Sequence, residues 1–503
     1  MPNVNSATES RQVRIASGIA GLDTILHGGL IHGHLYMLEG LPGAGKTILA
    51  NQICFNHAAA GGRAIFVTLL AENHAKMINN LRTLSFFDEG AIQERVEYLA
   101  AYSEMREGGM PALVALLRRE IHRQKASLLI VDGLVSAAVS AESGRAFKEF
   151  LHDLQKVALL HDCTILLTTS TTKSDAPEQT MVDGVIKLTD RLYGWDTSRD
   201  LQVLKVRGDD FLPGRHSYEI CDDGIVVYPR LEALYAHPSR PEAETHGALA
   251  IGVEKLDAML GGGLPASSTT MVTGPSGIGK TTLGLHFLTG SSAEEPGLMF
   301  SFYETPARLQ VRTDRMKAPL RELMANGVVE LIWHPPTAEL LDAYGQQLLA
   351  AVDQRKVKRL FIDGLTAFKN GAIDPSRIGN FFSALANELR VRGVTTVYSL
   401  EVPNILGPAA SLPVDDAAVL AENMILMRFV ERRAHLHRLI SILKVRESDF
   451  DPALYEFKLT PSGMEIQPTS DSAAAILADP MQSGHRADRA TGADAGSKPE
   501  GDH

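Results

Sequence analysis

Eight residues, Gly40 to Thr47 (GLPGAGKT), have the form G-x-x-x-x-G-K-T, and the same form returns at Gly274 to Thr281 (GPSGIGKT). Nothing else in the chain narrows the choice of fold as much, because such a loop cradles phosphate only when a strand feeds it and a helix N-terminus follows it. Gly40, Gly43 and Gly45, with Ala44 between them, let successive backbone N–H groups curl round a phosphate; so do Gly274, Gly277 and Gly279 with Ser276 and Ile278. Lys46 and Lys280 then reach the outer phosphate oxygens, and the hydroxyls of Thr47 and Thr281 suit Mg²⁺. Each copy is a candidate site for ATP with Mg²⁺.

The duplication is wider than the loops. Gly18 to Leu30 (GIAGLDTILHGGL) matches Gly252 to Leu264 (GVEKLDAMLGGGL) at an offset of 234 residues, the offset of the loops themselves. Each half has an apolar run before its loop (Leu35 to Leu38; Thr270 to Thr273) and a helical pattern after it (Ile48 to Ala58; Leu283 to Leu288). A second run follows, Ala64 to Val67 and Leu298 to Phe302, with Glu72 and Glu304 just beyond. A third ends in an acid, Leu128 to Asp132 and Leu360 to Asp363, now offset by 231 residues and resembling Walker B strands. With Thr164 to Thr168 and Thr395 to Ser399 these strands alternate with helices, which predicts α/β architecture: two tandem domains, each a mostly parallel twisted sheet covered on both faces. Antiparallel strands close each half, Leu201 to Val206 with Gly224 to Tyr228, and Leu439 to Val445 with Leu454 to Leu459.

The expected division is a disordered 1–13, a first domain over 14–230, a linker over 231–246, a second domain over 247–467, and a disordered tail over 468–503. The linker reading rests on a stretch rich in Pro, Glu and Ala with little apolar periodicity. The tail reading rests on Ala, Ser, Asp and Gly that cannot bury enough surface to offset ordering. A chain of 503 residues needs more than one core, and 45% hydrophobic content is ordinary for globular protein. Without a leader pattern or a long apolar run, a cytoplasmic location is expected. Cys54, Cys163 and Cys221 lack metal or disulfide spacing. The formal charge of −11 makes nucleic acid a poor default partner.

Phosphoryl transfer to water needs a cradle, a metal held by Thr and Asp, a group that orients the water, and positive charge for the transition state. Lys46, Thr47 and Asp132, with Lys280, Thr281 and Asp363, cover the first two needs. Glu72 and Glu304 are candidate bases, because a carboxylate just past a strand projects over the sheet's C-terminal edge. Lys205 and Arg207, matched by Lys444 and Arg446, are two apart on a strand and share a face. So far from their own loops, they suit a neighbouring subunit's γ-phosphate.

Tandem loops, G-x-x-x-L-D-x-x-L-x-G-G-L lead-ins, V-D-G and I-D-G strands and paired L-K-V-R segments resemble the KaiC family, a two-domain branch of the RecA-like ATPases, over residues 14–467. The resemblance implies a homohexamer of two stacked tiers with ATP between subunits, the Lys205, Arg207, Lys444 and Arg446 side chains acting in trans, and a regulatory protein partner. Clock members carry adjacent glutamates where this chain has Ala71 and Glu72, or Tyr303 and Glu304. They carry adjacent Ser and Thr phosphorylation sites where this chain has Ala418 and Val419. Without hydroxyls those two positions cannot be phosphorylated, although Ser411 and others remain. A nucleotide-driven switch is therefore expected ahead of a serine/threonine autokinase, and a DNA-binding ring comes last.

Weaker features add little. His435 and His437 share a strand face without a third metal ligand. Arg432 with Arg433, and Lys356, Lys358 and Arg359, form short basic runs without interleaved aromatics that suit a solvated helix end about as well as a nucleic-acid surface. The stretches 133–145 and 364–377, counterparts of DNA-contacting loops, hold only Arg145, Lys369 and Arg377 as cations.

Overall fold

The computed structural model describes residues 12–69, 74–134, 144–170, 177–193, 196–242, 246–316, 319–335, 340–372, 374–402, 421–432, 435–446, 448–468, 471, 473 and 474. Glu72, Ala71, Ser411, Ala418 and Val419 lie outside the described residues, as do most of 1–13 and 468–503.

The first half lays down β1 (Leu35–Glu39), α1 (Lys46–Ala59), β2 (Ala64–Thr68), β3 (Val96–Ala100), α2 (Tyr102–Gln124), β4 (Leu128–Asp132), α3 (Gly144–His161) and β5 (Thr164–Thr169). It closes with β6 (Gly184–Tyr193), β7 (Asp196–Val206), β8 (Arg215–Cys221) and β9 (Gly224–Tyr228), and a short helix α4 (Leu231–Leu234) follows. The second half repeats the plan. It has β10 (Thr269–Gly274), α5 (Lys280–Thr289), β11 (Gly297–Ser301), α6 (Pro306–Arg315), β12 (Val329–Trp333), α7 (Leu341–Arg355), β13 (Arg359–Asp363), α8 (Leu365–Asn370), α9 (Ile378–Val391) and β14 (Thr395–Glu401). β15 (Asn423–Arg432), β16 (His435–Lys444), β17 (Tyr455–Thr460) and β18 (Gly463–Ile466) complete it.

Each half forms a nine-stranded sheet, in the order β9-β8-β7-β6-β1-β5-β4-β2-β3 and, in the second, β18-β17-β16-β15-β10-β14-β13-β11-β12. Every strand of the first sheet has its counterpart nine numbers on. The five or six strands around the loops pair in parallel, while β6 to β9 and β15 to β18 pair antiparallel. These are two tandem RecA-like α/β domains.

Strand alternation explains why the central runs are wholly apolar. Tyr36 and Leu38 face one core with Phe66, Ile130 and Ile53, while Leu35 and Met37 face the other with Val67, Leu117 and Leu151. With both faces buried under helices, a period-two strand has no side left for polar residues. At the crowded loop strand, a Cβ on Gly40 or Gly274 would come within 2.8 or 2.5 Å of the carbonyl oxygens of Leu188 and Met427. Leu188 and Met427 occupy equivalent positions on β6 and β15, so the same close approach recurs in both halves.

Three expectations need correction. The stretch expected as a linker begins with α4, whose Leu231 is fully buried in the second-half core and whose backbone N–H donates to Asp342 Oδ1 at 3.1 Å. One turn of helix is too short to show periodicity, so its apolar plug was invisible in the sequence. In the expected tail, Ala473 is buried against Leu439. Arg359, taken as part of a solvated basic run, is 6% exposed, donates to Ala250 O at 2.8 Å and pairs with Glu295.

Candidate nucleotide sites

Both loops turn from strand to helix through glycines in the left-handed region, φ 91° and 88° at Gly43 and Gly45, 74° and 124° at Gly277 and Gly279. Residues with a Cβ rarely take that conformation, and it is what turns the backbone N–H groups inward. In the first site Lys46 Nζ donates to Gly40 O at 2.8 Å and Leu41 O at 3.0 Å. In the second, Lys280 Nζ donates to Gly274 O and Pro275 O, both at 2.8 Å. Burial lowers the basicity of both ammonium groups, against Asp132 in one site and Glu401 and Asp363 in the other. A desolvated ammonium bonded only to carbonyls is ready to exchange them for phosphate oxygens.

Thr47 Oγ1 donates to Asp132 Oδ2 at 3.1 Å, and Thr281 Oγ1 to Asp363 Oδ2 at 3.0 Å. A hydroxyl and a carboxylate thus converge at the first turn of each loop helix, the oxygen set a hard divalent cation takes. A hydroxyl on the neighbouring strand orients each acid: Thr168 bonds Asp132, and Ser399 Oγ donates to Asp363 Oδ1 at 2.8 Å. The same hydroxyls accept from the N–H of Gly133 and Gly364 at 3.1 and 2.9 Å. Asp363 is 4% exposed, and burial pushes its carboxyl above the usual range despite the Ser399 and Thr281 bonds.

The second cleft, about 430 Å³, is lined by the loop together with Tyr303, Glu304, Arg312, Asp363 and Glu401. Glu304 is not free: its Oε1 lies 2.8 Å from Arg312 Nη2, a cation two turns along α6. Tyr303 is 48% exposed and lies over Gly364, where a Cβ would approach its ring to 2.5 Å. Arg312 and Glu401 escaped sequence reasoning. Arg312 sits on a helix face with other arginines, and Glu401 pairs in register with Gly274, a position held by Ser170 in the first half, where Glu39 pairs with Thr169. Strand register also separates the two glutamates: Thr68 lies opposite Asp132 and Ser301 opposite Asp363, so Glu72 stands four residues past its strand and Glu304 three.

Lys205 and Arg207 reach one place, as their shared face predicts. Lys205 Nζ donates to Val182 O at 2.7 Å, and Arg207 Nη2 to Thr180 O at 2.6 Å. Lys444 Nζ donates to Ala421 O at 2.8 Å, while Arg446 is exposed. A β-bulge precedes each pair at matching positions, between Val185 and Ile186 and between Met424 and Ile425. It leaves Leu204 and Leu443 unpaired at 37% and 41% exposure. None of these four cations lines the described part of the second cleft.

His437 Nδ1 bonds Glu456 Oε1 at 2.8 Å. Cys54 and Cys163 are buried and Cys221 is exposed. No described helix is long and apolar enough to cross a membrane.

A repeated phosphate loop on a repeated RecA-like sheet, each with Thr and Asp converging at the helix start, defines a tandem P-loop ATPase architecture. The family model described as ATPase: KaiC matches residues 15–232 and 249–471, and the chain belongs to that family. Among similar proteins, the circadian clock oscillator protein KaiC of Nostoc sp. (strain PCC 7120) is 26% identical over 470 residues, 90% of this chain and 89% of that one. Those of Parathermosynechococcus lividus and Synechococcus elongatus are 25% and 24% identical, covering 90% and 93% of this chain and 85% and 91% of theirs.

Proposed function

We propose that this protein binds and hydrolyses ATP with Mg²⁺ at both loops and works as a hexameric switch whose ring changes shape, and hence its grip on a regulatory protein, with nucleotide state. The observation that carries the reading is the doubled Thr–Asp convergence beside a desolvated lysine, Thr47 with Asp132 near Lys46 and Thr281 with Asp363 near Lys280. Mg²⁺, when bound, would neutralise charge on the β- and γ-phosphates. Thr47 and Asp132, or Thr281 and Asp363, would hold it; Lys46 and Lys280 would hold the phosphate oxygens, and the loop N–H groups would orient the chain of phosphates. Glu72 serves as base in the first site. Glu304 fills that role in the second once Arg312 releases its carboxylate.

Lys205, Arg207, Lys444 and Arg446 complete the site of a neighbouring subunit. Support comes from the bonds of Lys205, Arg207 and Lys444, which run to backbone carbonyls of their own β5–β6 and β14–β15 connections and, for Arg207, to the Asp183 carboxylate there, and not to their own loops. Native mass measurement with and without ATP tests assembly. A hexamer that forms or tightens with ATP is expected, and a monomer under both conditions overturns the reading. Phosphate release accompanied by no label transfer from γ-labelled ATP to the chain separates the switch from an autokinase.

A further inference from the structure

Between the two halves lies a cleft of about 610 Å³ whose described walls come from β6, β7, β8 and the start of α4 on one side and from the start of α7, the α8–α9 connection and the first turn of α9 on the other. It is larger than the cleft at the second phosphate loop and has no residue of either loop in its wall. Register shows how its first-half wall is built. Arg191 lies opposite Ser198, Asp200 lies opposite both Thr189 and Ser217, and Arg215 lies opposite Gln202. All therefore share the face turned away from the core that holds Leu188, Leu201 and Tyr218.

The fold does not require these groups. In the second half the pair equivalent to Asp200 and Ser217 is Leu439 and Glu456, one register step from Ile440 and Tyr455, and there Ala473 covers Leu439. In the first half the same face is polar and its charges are incompletely used. Arg377 is spent on Glu232 and Asp342, Oε1 and Oδ1 each at 2.8 Å, and Asp374 is spent on the N–H and hydroxyl of Ser376. Arg191 and Arg215 are exposed to the cleft and make no ion pair with a described residue; they act on Asp200 only through space. Ser198 and Ser217 are 5% and 7% exposed, and their hydroxyls have no described hydrogen-bond partner. Burial raises the Asp200 carboxyl above its ordinary value, with Arg215, Arg191 and Arg377 pulling it back, and its oxygens can accept from a ligand hydroxyl.

We propose that this cleft is a binding site, separate from both phosphate loops, for a phosphate monoester of nucleotide size: Arg191 and Arg215 clamp the phosphate, Ser198 and Ser217 donate to it, and Asp200 accepts from the sugar. Two free guanidiniums match a dianion, planar forks suit its oxygens, and the volume falls within the usual ~300–1,000 Å³ of small-molecule sites.

The test uses AMP, which lacks the β-phosphate that the loops grip. The full-length protein is first loaded with a non-hydrolysable ATP analogue, freed of excess, and then titrated calorimetrically with AMP and, separately, with ribose 5-phosphate. Saturable binding of either at one site per chain is expected. Arg191→Ala and Arg215→Ala, both at exposed positions, each weaken it by about tenfold or more, Arg215→Lys restores part, and Lys280→Ala leaves it unchanged. Absence of heat from both ligands at millimolar concentration overturns the proposal. So does binding that survives both arginine variants, or that Lys280→Ala abolishes. ATP hydrolysis by the same preparation is scored independently, so failure here leaves the catalytic reading standing.

Discussion

The two nucleotide sites share a backbone and differ in what braces and neutralises it. In the first half Tyr218 donates its hydroxyl to Ala44 O at 2.7 Å, bracing the phosphate loop from β8 of the same sheet. The equivalent residue in the second half is Phe457, which has no hydroxyl, so Ile278 O has no such partner there. In the first half Gln52 on the loop helix ties down the β8–β9 turn, accepting from Ile225 N at 2.8 Å and donating to Asp223 O and Ile225 O. His286, at the matching position, does the same for the β17–β18 turn by accepting from Met464 N at 3.0 Å. In the second cleft Glu304 is held by Arg312, and Glu401 stands where the first half has Ser170. Duplicated backbones thus stayed constant while their side chains separated a tightly braced site from one whose carboxylate is masked.

The sharpest way to break that contrast is to disable one loop at a time. Loss of a positioned cationic donor at a developing charge costs about 10²–10³ in rate. Lys46→Ala is therefore expected to remove most steady-state phosphate release, and Lys280→Ala little. If Lys280→Ala abolishes most of the turnover, the ranking of the two sites is wrong. Next in size, Arg207→Ala or Lys205→Ala should lower hydrolysis in the first tier by at least about tenfold, and mixing with Lys46→Ala subunits should recover part of the activity, since one of the two orientations of a mixed interface pairs an intact loop with an intact cation. No recovery in mixed rings would mean the pair acts within its own subunit. A third measurement isolates the masked carboxylate: in a Lys46→Ala background, Arg312→Ala frees Glu304 and should raise residual hydrolysis by about tenfold, a fraction of the ~10²–10⁴ a general base supplies. A drop instead would make Arg312 a phosphate ligand.

The smallest effect concerns pH. Burial holds the His286 imidazole below its ordinary basicity, and its bond to Met464 N–H needs an unprotonated Nε2. Between the lowered folded value and the ordinary 6.5 the unfolded chain binds more protons, so stability from this group is complete above about pH 6.5 and declines as pH falls below it. His286→Gln should flatten that decline in thermal scans from pH 7.5 to 5, by about 1 kcal/mol, the usual worth of one hydrogen bond. Gln52→His should introduce a similar decline in the first half. Equal slopes in all three proteins would remove His286 from the account.

Much of this was legible in the chain. Nearly constant offsets aligned the halves, the apolar runs of the parallel strands became strands within a residue or two, the closing strands read as Leu201–Val206 and Leu439–Val445 begin earlier, at Asp196 and His435, and Asp132 and Asp363 stand at the strand ends the runs implied. Those features are local, written in period and spacing. Arg312, Glu401, Tyr218 and Leu231 were not legible, because each acts on a residue from another element and nothing in the flanking sequence marks the partner. Arg359 misled for the same reason: beside Lys356 and Lys358 it reads as surface, and only the fold turns it inward toward Glu295.

Family similarity ends the first repeat at residue 232, yet Leu231 fills the core of the second repeat and Glu232 grips Arg377. The seam of the ancestral duplication has been overwritten. A second repeat cut after residue 232 would lose a core side chain and leave the fully buried Asp342 without the Leu231 donor, whereas a cut before Leu231 would keep both.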